Sequence, residues 1–135
     1  MKGVGIFSVL RLRKLSAGEA RRELAASIIA EHQSEMAVLR AQAEMVREVS
    51  EIEAQGGGIV AAQYVAYLTA ARGGIAQERA HLARDQGAHD AAGVAFSEER
   101  AGLRAAELLA VAKAKREAKI AERRAQFNLE DSCRR

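Results

Sequence analysis

A seven-residue series constrains this chain more than any other feature. Leu68, Ile75, Leu82, His89, Phe96, Leu103 and Ala110 follow one another at exact heptad spacing, with one polar member. A sustained heptad of apolar residues is the pattern of helices that wind around a neighbouring helix. The companion positions Ala71, Glu78 and Ala92 are small or charged, so the seam is thin. Ahead of it a second stripe recurs at steps of three, four or eight: Leu24, Ile28, Met36, Leu39, Ala43, Val46, Val49 and Ile52, with His32 as a polar gap. Three consecutive glycines, Gly56 to Gly58, separate the two patterns. Each glycine weakens a helix by roughly 1 kcal/mol relative to alanine, so three in a row predict a turn.

Composition supports helices and little else. The 135 residues include no proline and 30 alanines, and aromatics make up 4%. Turn prolines and the β-branched or aromatic strands of an all-β domain are missing. Alanine favours helix but buries little apolar area, so a large globular core is not expected. The apolar share is too high and the net charge of +3 too small for a disordered chain.

The expected fold is therefore all-α, a single domain over residues 1–135. It is a long antiparallel two-helix coiled-coil hairpin with an overhanging C-terminal helix. The first helix is expected at about 7–54, the turn at 55–59 and the second helix at about 60–129. A short connection forces the helices antiparallel, and partners across the hairpin should have numbers that add to about 116. Leu39 then sits near Gln77, Ile28 near Ala88 and Leu10 near Ala106. Residues beyond about Leu109 overhang. Gly73, Gly74, Gly87 and Gly93 predict local frays or kinks rather than breaks.

Charge is uneven. Residues 1–22 carry net +5, residues 110–135 net +4, and the intervening stretch net −6. A hairpin gathers both basic ends at its open end and leaves an acidic remainder, a distribution that steers one end toward an acidic partner.

The sequence contains no constellation that carries catalysis. No joint metal site is expected of His32, His81 and His89, and His32 and His89 read as polar seam residues that fix register. There is no His-Glu-x-x-His pattern, and the glycines are not followed by a phosphate-binding Lys and Ser/Thr. The chain reads as non-enzymatic, with no cofactor and no metal. Cys133, the one cysteine, cannot form an intramolecular disulfide. No apolar run is long enough to span a membrane. The short apolar start, followed at once by Arg11, Arg13 and Lys14, lacks a secretory cleavage site, and a cytoplasmic location is expected.

Two surfaces stand out as contacts. The segment with Lys113, Lys115, Arg116, Lys119, Arg123 and Arg124 is interrupted by Glu117 and Glu122. It reads first as a helix end for an acidic protein surface, and next as a solvated face with intrahelical pairs such as Lys113 with Glu117. Tyr64 and Tyr67, the only tyrosines, lie three apart on one face just after the turn. They either cap the hairpin tip or present an aromatic contact to a partner. A nucleic-acid-associated basic helical protein, suggested by a pI near 9.3, is disfavoured by the acidic middle. A self-assembling structural coiled coil is a further alternative, suggested by the thin seam.

The layout resembles the FliJ family of flagellar type III export proteins and the related YscO proteins of virulence secretion systems. The resemblance covers nearly the whole chain. It runs through Leu10, Arg11, Leu12, Arg13, Lys14 and Leu15, then Glu19 to Leu24, the turn at Gly56 to Ile59, and Gln63 to Leu68. It continues through Ile75 to Arg79 and the basic tail from Leu109 to Glu130, with Glu122, Arg123, Arg124 and Phe127. It implies a cytoplasmic coiled-coil protein, peripherally associated with the inner membrane at the flagellar base and needed for motility. Such a protein is a stalk of the export ATPase ring and an adaptor between that ATPase, the cytoplasmic domain of the export-gate membrane protein and substrate chaperones. The residues implied to contact the ATPase are Arg11, Arg13, Lys14, Arg21, Arg22, Lys113, Arg116, Lys119, Arg123 and Arg124. Those implied to contact the gate are Tyr64, Tyr67 and Ala71, the last standing where a family member can carry leucine.

Overall fold

The structure, a computed structural model, describes residues 4–55 and 61–134. Two helices account for nearly all of them: α1, Val4–Ala54, and α2, Ala61–Cys133. They pack against each other as an all-α helical hairpin, with no strand among the described residues. α1 begins at Val4 rather than about residue 7, and α2 ends at Cys133 rather than about 129. The glycines expected to form the turn, Gly56 to Gly58, lie outside the described residues together with Ile59 and Val60.

Why the helices run so far follows from their composition. α2 continues unbroken through Gly73, Gly74, Gly87, Gly93 and Gly102. Each of these costs roughly 1 kcal/mol against alanine, but adding a residue to an existing helix is far cheaper than starting a new one. Neither helix has an acidic residue in its first turn or a basic one in its last. The ends therefore gain little from the helix dipole, and the contact between the helices matters more.

Two compact units make up the chain: Arg22–Val94, and Met1–Arg21 together with Ala95–Arg135. In the unit Arg22–Val94, α2 turns its heptad line Leu68, Ile75, Leu82 and His89 inward, with Ala71, Glu78, Asp85 and Ala92 beside it. α1 answers with Leu24, Ser27, Glu31, Ser34, Val38, Ala41, Met45, Glu48 and Ile52, strictly alternating steps of three and four. This corrects the stripe expected on α1. Leu24, Val49 and Ile52 do turn away from solvent, but Ile28, Met36, Leu39, Ala43 and Val46 are exposed, as is His32. The reason is polar matching. The polar members of the α2 seam need partners, and α1 supplies Glu31 to His89 and Ser34 to Asp85, which rotates the larger apolar side chains outward. Glu31 and His89 have numbers adding to 120, Ser34 and Asp85 to 119, close to the expected 116 and antiparallel in order.

In the other unit, α1 contributes Ile6, Leu10, Ala17 and Ala20, and α2 contributes Phe96, Glu99, Leu103, Ala106 and Ala110. Arg13 reaches Glu99 at 3.9 Å. The buried residues across both units are Ala17, Ala20, Val38, Ile75 and Ala106, and no described side chain is fully enclosed. Small side chains let the backbones approach but remove little apolar area from water.

Candidate functional site

Nine of the ten cations expected to contact an ATPase ring are exposed: Arg11, Arg13, Lys14, Arg21, Arg22, Arg116, Lys119, Arg123 and Arg124. Lys113 is half-buried. The unit formed by the two ends of the chain holds all of them except Arg22, which belongs to Arg22–Val94. That unit thereby brings Arg11, Arg13, Lys14 and Arg21 into one compact body with the five cations of α2.

Two of these cations already have partners. The Arg13 guanidinium Nη1 lies 3.9 Å from Glu99 Oε2. That oxygen is buried and has no hydrogen-bond partner, so the nearby positive charge offsets its loss of water. Gly102 leaves room for the guanidinium, since a Cβ there would stand 3.0 Å from Arg13 Nη1. Lys113 Nζ lies 3.9 Å from Glu117 Oε1 one turn along α2, the intrahelical pairing expected at that spacing.

From residue 114 to its end at Cys133 every side chain of α2 is exposed, as is Arg134 beyond it. Arg116, Ile120, Arg123, Arg124 and Phe127 recur at helical spacing within this stretch. Ile120 is 45% exposed and Phe127 76%. Cations interleaved with large apolar groups, uncovered on every side, form a surface suited to a protein partner with acidic and apolar character. At the base of this stretch a shallow hollow of about 430 Å³ is lined by Ile6, Leu109, Ala112, Lys113, Arg116, Glu117 and Ile120. Ile6 was not singled out by sequence, and Leu109 only as the point where the overhang and the basic tail begin. The signal for Leu109 was the i, i+3, i+7, i+11 spacing of Leu109, Ala112, Arg116 and Ile120. Nothing in sequence alone aligns Ile6 with them.

The expected gate contacts lie in the unit Arg22–Val94. Tyr64, Tyr67 and Ala71 are all half-buried on the inward side of α2. Tyr67 and Ala71 line a hollow of about 330 Å³ with Ala41, Glu44, Met45 and Glu48 of α1. The hydrogen bond from the Tyr67 hydroxyl to Glu48 pushes the phenol pKa up to about 12, with smaller contributions from desolvation and from the charges of Glu48 and Glu44. Tyr67 thus faces α1, and Tyr64 does not line that hollow.

No group of three or more His, Cys, Asp or Glu is placed to hold a metal ion among the described residues. No helix among them is long and apolar enough to cross a membrane. Comparison with known protein families, curated proteins and solved structures finds no match to this chain.

Proposed function

We propose that the chain is a non-enzymatic coiled-coil component of a flagellar type III protein export apparatus. It acts there as stalk of the export ATPase ring and as adaptor between the ATPase, the export gate and substrate chaperones, in the cytoplasm at the inner-membrane face of the flagellar base. The observation that carries this reading is the bare segment 114–133 of α2, set in the same unit as the basic start of α1. A helix uncovered on all sides is suited to being wrapped by a ring, and Arg116, Lys119, Arg123 and Arg124 give it the charge to be drawn there. Arg13 and Lys113 are secondary in this account, because each is already held by a carboxylate. Tyr64, Tyr67 and Ala71 serve the gate contact.

The test is to add the purified protein to the cognate export ATPase and follow ring assembly and ATP hydrolysis. Both should rise. The paired substitution Arg123→Glu and Arg124→Glu should remove most of the stimulation while circular dichroism stays helical. Unchanged assembly and hydrolysis with the native chain would sink the proposal. Stimulation that survives the charge reversal would sink its electrostatic basis.

A further inference from the structure

The apolar stripe that α1 turns outward has no partner within the unit Arg22–Val94. It is a second seam in its own right. Arg22, Ala25, Ile29, His32, Met36, Leu39, Ala43, Val46, Ser50 and Glu53 alternate strictly by three and four, and all ten are exposed. At ~100° per residue this line lies on the side of α1 opposite Val38, Ala41 and Met45, which face α2. Ile29 is 58% exposed, Leu39 57% and Val46 64%. A heptad stripe of this kind on an already packed helix is the pattern of a coiled-coil contact to another helix.

We infer that the occupant is a second copy of this chain, with its α1 antiparallel to the first. The charges at the two ends of the seam choose it. When copies pair so that residue numbers add to 75, Arg22 of one meets Glu53 of the other at both ends. Ile29 then packs on Val46, Met36 on Leu39, and the imidazole of His32 on the small Ala43. The flanking positions add no like-charge contact: Arg40 falls near Gln33 of the second copy, and Glu35 near Gln42. A parallel in-register pairing would instead set Arg22 against Arg22, Glu53 against Glu53 and His32 against His32. Like charges brought together at both ends disfavour that arrangement. The seam uses none of the residues on which the export reading stands except Arg22, so the two proposals fail separately.

The test uses the whole chain with Cys133→Ser, so that no native thiol interferes. Sedimentation equilibrium at ~100 μM should give a dimer mass. Chains carrying Ile29→Cys and chains carrying Val46→Cys, oxidised as a mixture, should form a disulfide between the two kinds, and neither should cross-link when oxidised alone. Arg22→Glu should raise the dissociation constant at least about tenfold, and Arg22→Glu combined with Glu53→Arg should restore it. All four positions are exposed on α1, so helicity by circular dichroism should be unchanged and reports directly that each variant still folds. A monomer mass at that concentration overturns the inference. So does a cross-link formed by either cysteine variant alone, or an affinity that the charge swap leaves depressed.

Discussion

At the scale of single residues, Tyr67 links a seam contact to solution behaviour. Its hydroxyl donates to Glu48, and the phenol pKa rises from 10.0 to about 12. A raised folded-state pKa means that the folded chain holds this proton where the unfolded chain has lost it. The stabilisation is fully present below pH 10 and is lost as pH rises from 10 toward 12. Urea midpoints measured across that window should fall for the native chain, and Tyr67→Phe should remove this component of the fall. The same contact changes how the residue reads functionally. In sequence, Tyr67 is an aromatic free to meet a partner or to cap a tip. In the structure its polar end is engaged by Glu48, a residue of α1 that nothing local in the α2 sequence identifies. Arg13 is parallel: as a letter it is one of several cations, and only Glu99 and the space over Gly102 set it apart.

At the scale of the element, the glycines of α2 are the clearest departure from what an ideal helix would use. A Cβ added at Gly73, Gly74 or Gly87 would meet nothing within 4 Å. Replacing each by alanine should raise stability by roughly 0.5–1 kcal/mol, read as a higher denaturant midpoint at unchanged slope. Gly102→Ala should gain less, because its Cβ would stand 3.0 Å from Arg13 Nη1 and the guanidinium must give way by a few tenths of an ångström. The heptad on α2 was legible in sequence, and Leu68, Ile75, Leu82, His89, Phe96, Leu103 and Ala110 all turn away from solvent as expected. The face of α1 was not. Its larger apolar residues form two stripes, and choosing between them requires knowing that Glu31 and Ser34 meet His89 and Asp85.

At the scale of the whole molecule, the helices bury few and mostly small side chains, with Val38 and Ile75 the largest of the buried set. Stability is therefore expected to be modest. Residues 121–133 of α2 are exposed throughout, so they add helix without adding contact to α1. Removing residues 121–135 should lower the helical signal but leave the melting midpoint of the remainder within about 2 °C. If the export proposal holds, the same truncation abolishes stimulation of the ATPase. A fall of the midpoint by ~10 °C would mean that the tail is packed after all.

The sequence by itself determined that this chain forms two long helices arranged antiparallel, where they separate, and which line of α2 faces inward. Those features follow from local propensity and from periodicity, which act within a few residues of where they are written. Only the tertiary structure decided which side of α1 meets α2, which of the basic residues are already engaged, and that Tyr67 and Glu48 line one hollow. Each of those depends on pairs such as Glu31 with His89 or Arg13 with Glu99. Their partners lie tens of residues apart, and a shift of one position along the helix, ~100° of rotation, changes which side chains meet.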